Sequence, residues 1–232
     1  MGNLKALIKQ TEKLNRELKE AHFDFAGYIY NPLEYALENY KSYLALSISE
    51  NQKVLFMGMN PGPFGMVQTG VPFGEINSVK NYLKINNKVG KPRVECPLRP
   101  VLGMDTKRSE VSGARFWQMA SLIGERDVFF SHATVINDCP LAFISEKGTN
   151  ITPVELGKND RATINRICDD NLKATLDIYG IEKYIAIGRY AEEKLSEFGD
   201  VVTFLHPSPR NPSSRTFWPE KAKDETWRLI CE

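Results

Sequence analysis

At 232 residues, with 42% hydrophobic and 25% charged side chains, the chain has an ordinary globular composition and enough length to bury a substantial core. Its 30 Lys and Arg against 29 Asp and Glu leave a net charge of +1, so no global polycation is present and any nucleic-acid contact must come from a local patch. No apolar run is long enough for a membrane span or a secretory leader, so the expectation is an intracellular protein without membrane partners, nuclear in a eukaryote or cytoplasmic in a bacterium.

Residues 4–20 place Leu4, Leu7, Ile8, Leu14 and Leu18 on one helical face. Asn31-Pro32-Leu33-Glu34 is a helix start: an N-cap, a proline at the first position and a glutamate three beyond the cap. Tyr35, Ala36, Tyr40, Tyr43 and Leu44 follow on its inner face, a stripe that reads as core packing. Together these make an N-terminal helical part over residues 1–50. The apolar run from Val54 predicts a buried strand. It stops at Gly58-Met59-Asn60-Pro61-Gly62, in a segment that can continue neither strand nor helix. The loop runs on through Gln68-Thr69-Gly70-Val71-Pro72-Phe73-Gly74, longer than a strand-to-helix connection needs, and long ordered loops tend to be functional.

Residues 77–111 are irregular and basic: Lys80, Lys84, Lys88, Lys91, Arg93, Arg99, Lys107 and Arg108 outnumber Glu95, Asp105 and Glu110. The segment is either a solvated excursion or a face for a polyanion. A helix opens at Ser112 with Phe116, Trp117, Ala120 and Ile123 inward, and Phe129 to Ile136 predicts a second strand ending at Asn137-Asp138-Cys139-Pro140. Thr152-Pro153-Val154-Glu155 is a capping box, and Asp160 to Tyr179 a long helix. Tyr184 to Gly188 and Val201 to Leu205 predict two more strands around a short helix over 189–197, and a last helix spans 218–231. Helices alternating with β-rich runs predict an α/β fold: a central four-stranded, mostly parallel sheet with helices on both faces, in one domain over 1–232.

Three of these strands deliver a polar residue just past their last apolar position: Asn60, Asn137 and His206. Asn137 would also serve as a turn cap before Pro140, and His206 as a hydrogen-bonded core histidine. In a parallel sheet, however, such ends share one edge, where ligands bind. Four cysteines, Cys96, Cys139, Cys168 and Cys231, are scattered without a C-x-x-C pair, and the three histidines form no H-E-x-x-H. No metal or cofactor is therefore expected. No serine or cysteine stands in a nucleophile elbow and no phosphate-binding G-x-x-x-x-G-K-[ST] occurs. An Asn carbonyl can hold a water, and a His donor can stabilise charge developing on an oxygen. Such a pair suits a leaving group that departs as a stabilised anion. Cleavage of an N-glycosidic bond to a pyrimidine-dione fits, with a second amide reading the base edge.

Gly58-Met59-Asn60-Pro61-Gly62-Pro63-Phe64-Gly65-Met66 and the following 68–74 segment resemble the first motif of the single-strand-selective monofunctional uracil-DNA glycosylases. His206-Pro207-Ser208-Pro209-Arg210-Asn211-Pro212 resembles the second motif of that family, and Asn137-Asp138-Cys139-Pro140-Leu141 its base-reading segment. The resemblance implies a cofactor-free hydrolase that flips uracil, or a relative such as 5-hydroxymethyluracil, out of DNA and starts base excision repair. By resemblance, Asn60 positions the water and His206 stabilises the uracil anion through O2. Asn137 pairs with the base edge, Phe73 stacks on the ring, and Met59 and Gly62 contact its C5 side, the small Gly62 leaving room for substituents. Pro209, Arg210 and Asn211 form the wedge and backbone contacts, with Arg210 entering the duplex. After Asn211-Pro212 the family usually continues with an Ala-Asn pair, whereas this chain has Ser213-Ser214-Arg215. No lysine is marked as a Schiff-base nucleophile, so lyase activity is not expected. The partner is DNA and the expected state a monomer. The alternatives are a glycosylase preferring deaminated purines (xanthine, hypoxanthine) and a non-catalytic module binding damaged or single-stranded DNA.

Overall fold

The computed structural model describes residues 2–231. In chain order the elements are α1 (Gly2–Glu20), β1 (Gly27–Tyr30), α2 (Pro32–Tyr35), α3 (Leu37–Leu46), β2 (Val54–Gly58), α4 (Met66–Thr69), α5 (Val111–Ile123), α6 (Arg126–His132), β3 (Ala133–Asn137), β4 (Ala142–Ser145), β5 (Asn150–Ile151), α7 (Lys158–Tyr179), β6 (Lys183–Ile187), α8 (Arg189–Leu195), β7 (Asp200–Phe204), α9 (Ser214–Phe217) and α10 (Glu220–Cys231). Short helical turns at Ser78–Tyr82 and Gly103–Asp105 punctuate the basic segment.

β3, β2, β6 and β7 form a four-stranded sheet in that order, and every pair in it is parallel. β2 is central and wholly buried because its side chains serve two faces. Val54 and Phe56 pack with Phe116, Trp117, Ala222 and Ile230 of α5 and α10. Leu55 and Met57 pack on the other face with Leu172 and Leu176 of α7 and Ala191 and Leu195 of α8. Burying a Phe or Leu side chain stabilises by about 1.5–3 kcal/mol, which is why this strand carries no polar residue before its end. β7 is an edge, and its Val202 and Thr203 are exposed.

Asn31 caps α2 through its side chain, which accepts from the Leu33 N–H at 3.1 Å, and Pro32 fills the first position as expected. Thr152 and Glu155 form the expected capping box, although the helix that it starts is a single short turn over Pro153–Glu155.

Three expectations need correction. Phe129 to His132 are helical, so the second strand of the sheet begins only at Ala133, and His132 closes α6 edge-on to Trp227. The last helix starts at Glu220, after the separate turn α9. The N-terminal part is not all helical: β1 pairs antiparallel with β4, and β4 with β5, in a second, three-stranded sheet. Among the described residues, no helix is long and apolar enough to cross a membrane.

Candidate active site at the carboxyl edge of the sheet

β2, β3 and β7 run parallel, so their carboxyl ends open on one side of the molecule. A cavity of about 790 Å³ lies there, lined by Met59, Asn60, Gly62, Phe73, Asn137, His206, Pro209 and Arg210. Every expected site residue thus borders one space except Asn211. Asn211 sits in the turn beyond, where its Oδ1 accepts from the Ser213 N–H at 3.1 Å.

The first motif is braced from beneath. Gln68 is buried and its Nε2 donates to the carbonyls of Pro63 and Pro100, while its Oε1 accepts from the Leu102 N–H at 2.7 Å. Tyr35 O–H donates to Val67 O at 2.7 Å and Asn39 Nδ2 to Thr69 O at 2.8 Å. These bonds satisfy loop backbone that would otherwise be buried unpaired, and they hold the loop in one shape. Asn60 therefore projects from a fixed frame. Its Nδ2 donates to Leu141 O at 3.4 Å, which orients the amide and leaves Oδ1 as the free acceptor.

Phe73 is held just as firmly in an unfavourable backbone state, with φ of 51°, the left-handed region that a bulky residue rarely adopts. Its ring stacks on Phe116 with centroids 5.1 Å apart and planes at 26°. Its carbonyl accepts from Trp117 Nε1–H at 3.0 Å. Strain of this kind persists only where the surroundings over-determine it, and here α5 supplies both contacts.

Asn137 ends β3, and its Nδ2 lies 3.3 Å from Met66 Sδ. The ladder between β2 and β3 continues past the strands, Asp138 N–H donating to Gly58 O and Cys139 N–H to Met59 O, both at 2.9 Å. Asn60 and Asn137 are thereby locked in register. The carboxylate of Asp138 points away into the protein, where Tyr190 O–H donates to Oδ2 and Oδ1 has no partner; burial pushes its pKa up.

His206 keeps an open face towards the cavity, but the surrounding protein strips most of its hydration, and that desolvation holds the imidazole below its ordinary 6.5. The Ser208 N–H donates to Nδ1 at 3.2 Å. Nδ1 is therefore the acceptor, and the neutral ring carries its proton on Nε2. Arg115 Nη1 donates to Pro207 O and to Ser214 Oγ, both at 2.8 Å, anchoring the loop that carries His206 and Arg210.

Glu110 is a lining residue that sequence reasoning did not single out. Glu110 caps α5, its carboxylate accepting from Ser112 N–H at 3.2 Å and Gly113 N–H at 2.6 Å, and it borders the cavity beside Gly62 and Gly65. Burial raises its pKa against those two bonds. A glutamate among Ser109 and Val111 carries no sequence signal of a cap, because Ser, Thr, Asp and Asn dominate that position. Among the described residues, no group of three His, Cys, Asp or Glu side chains is placed to share a metal ion. Cys96, Cys139 and Cys168 are buried free thiols.

A family model described as the uracil DNA glycosylase superfamily matches residues 47–230. The chain is 42% identical over 226 residues to the single-strand selective monofunctional uracil DNA glycosylase of Bos taurus, covering 94% of this chain and 83% of that protein. It is 41% identical over 231 residues to the protein of the same name from Rattus norvegicus, covering 96% of this chain and 83% of the relative. The crystal structure of wild-type Pedobacter heparinus SMUG2 superposes with a TM-score of 0.68 and 17% identity over 99% of both chains, a likeness of fold.

Proposed function

The chain belongs to the uracil-DNA glycosylase superfamily, and from that premise we propose how its cavity acts on DNA. The protein is a monofunctional uracil-DNA glycosylase, a hydrolase of N-glycosidic bonds that serves DNA repair. The observation that carries the mechanism is the convergence of Asn60, Asn137 and His206 with the braced Phe73 on one cavity.

A uracil nucleotide turned out of its strand enters with its ring against Phe73, an aromatic contact worth about 1–3 kcal/mol per base. Asn137 faces the base edge with one donor and one acceptor, the complement of uracil O4 and N3–H. The C1′–N1 bond breaks with its electron pair leaving on the base. Negative charge spreads to O2, where the Nε2–H of neutral His206 donates a hydrogen bond. Asn60 Oδ1 holds the water that adds to C1′, and that proton passes to solvent or to the departing base. Arg210, exposed on the Pro207–Pro209 turn, fills the gap left in a duplex, and the prolines limit the entropy lost on insertion.

The space beside Gly62 supports acceptance of 5-substituted uracils such as 5-hydroxymethyluracil. A methyl group on Gly62 would meet Glu110 at 3.6 Å, an ordinary van der Waals contact, so the position is not crowded. The test is release of free base from labelled oligonucleotides carrying uracil, 5-hydroxymethyluracil, xanthine or hypoxanthine. Uracil and 5-hydroxymethyluracil are expected to be released, leaving an intact abasic strand. Faster release of the purines would overturn the substrate assignment, and binding without release of any base would leave only a DNA-binding module.

A further inference from the structure

The basic segment takes no part in the chemistry above, yet it meets the cavity at one place. Phe64, on the loop after β2, lines the cavity, and the guanidinium carbon of Arg108 lies 3.7 Å from the centre of its ring. The guanidinium of Arg99 lies 5.3 Å from the same ring. Within about 6 Å a cation is drawn to an aromatic face, so one ring holds two arginines. Lys91 and Arg93 of the same segment are paired with Glu95 and Glu34. Among the described residues, neither Arg99 nor Arg108 has a carboxylate within ion-pair distance.

Arg99 is further committed in place: its Nη1 donates to Leu98 O at 2.9 Å, while its Nε is buried with no partner. Arg108 is exposed and makes no hydrogen bond through its side chain among the described residues, so its N–H edge is free. Two cations on one ring repel each other, and an unpaired pair of this kind gains most from an anion placed between or beside them. A planar guanidinium presents paired N–H groups that match phosphate oxygens, and the ring beneath it limits the freedom lost on binding.

We propose that Phe64, Arg108 and Arg99 form a phosphate-binding station that grips the backbone of the damaged strand next to the extruded nucleotide. The station rests on the DNA reading of the cavity, and it would let the protein hold a single strand without the help of a duplex. Because Phe64 belongs to the same rigid loop as Asn60, the grip sets the distance from backbone to water-holding amide.

The experiment measures fluorescence anisotropy of a labelled single-stranded oligonucleotide carrying one uracil nucleotide made resistant to hydrolysis by a 2′-fluorine, over a range of salt concentrations. Arg108→Ala is expected to weaken binding about tenfold at low salt, the scale of one charged hydrogen-bonded contact. Its slope of log affinity against log salt should be shallower by about 0.7, the share of one phosphate in a single strand. Arg108→Lys keeps the slope, and Lys5→Ala, which removes a charge from α1 away from the cavity, matches wild type. Arg108 is exposed, and an unchanged unfolding temperature for Arg108→Ala shows that the variant is folded. An Arg108→Ala slope equal to that of wild type, or a Lys variant as shallow as the Ala variant, overturns the station. Wild-type protein that does not bind the oligonucleotide at all overturns the DNA reading instead, so the two failures are distinct.

Discussion

Gly58 lies directly beneath Phe73: a methyl group on its α-carbon would stand 2.7 Å from Phe73 Cζ and 2.8 Å from Asn137 Oδ1. The last residue of β2 is thus a glycine because Phe73 and Asn137 close over it. Phe73 cannot simply move aside, since Phe116 and Trp117 hold its ring and its carbonyl. Gly58→Ala should therefore destabilise the protein by about 1–3 kcal/mol, as overpacking does. It should also displace the base platform and lower kcat/KM on uracil-containing DNA more than tenfold, roughly 1.4 kcal/mol or more. Urea unfolding together with initial rates of uracil release would check this, and a variant matching wild type in both would show that the crowding is absorbed elsewhere.

His206 is oriented by Nδ1 accepting from the Ser208 N–H, and protonation of Nδ1 would break that bond even though the cation still carries an N–H on Nε2. Desolvation lowers its pKa, so the neutral form survives to more acidic pH than in an ordinary imidazole. The kcat/KM profile should fall on the acid side with a midpoint under the usual histidine value. The same shift has a stability consequence of definite sign. The unfolded chain binds the proton more tightly, so the contribution of this group is complete above the unfolded pKa and is lost as pH falls towards the folded one. His206→Ala should lower the rate by about 10²–10³, the usual effect of deleting a donor aimed at developing charge, and should remove its acid limb. A midpoint above 6.5 in wild type would contradict the desolvated, neutral ring.

Asn60 offers a free Oδ1 because Leu141 O engages its Nδ2. In Asn60→Ala the water loses its acceptor while the base platform remains, so the expected result is a rate about 10²–10³ lower with DNA affinity within threefold of wild type. Single-turnover rates and anisotropy binding read the two quantities separately. A parallel loss of affinity would place Asn60 in binding rather than in water positioning.

Much of this site was legible from residue order alone, and the reason is geometric. A run such as Val54 to Met57 followed by Gly58-Met59-Asn60-Pro61 has few readings other than a buried strand with a polar residue at its end. Parallel pairing then brings Asn60, Asn137 and His206 to one edge without further information. The start of β3 was not legible. Phe129 and Phe130 are apolar and buried whether helical or extended, and an apolar run carries no periodicity to separate the two. The antiparallel sheet of β1, β4 and β5 was missed because its strands have four, four and two residues, too short for alternation to show. Glu110 and the Phe64–Arg108 stack depend on contacts across long stretches of chain, such as the close approach of Glu110 to Gly62 and Gly65, which no local pattern encodes.

Ser214 marks a departure from the usual family sequence after the wedge, and the structure gives it work to do. It is fully buried, its Oγ accepts from Arg115 Nη1 at 2.8 Å, and its hydroxyl lies within donating distance of Ser208 O at 2.9 Å and Asn211 O at 2.7 Å. One hydroxyl therefore ties α5 to both sides of the Pro209-Arg210 tip. Ser214→Ala removes these bonds and leaves Arg115 with one carbonyl partner, a loss of about 0.5–1.5 kcal/mol. The effect should appear mainly where the wedge is needed. With Arg210 in the proposed wedge role, a duplex needs it to fill the vacated space and a single strand does not, so uracil release from duplex DNA should slow several-fold more than release from a single strand. Rates on matched single- and double-stranded oligonucleotides measure the ratio directly. Equal losses on both would mean that the Ser214 anchor supports His206 rather than the wedge, because the same loop carries the imidazole that both substrates require.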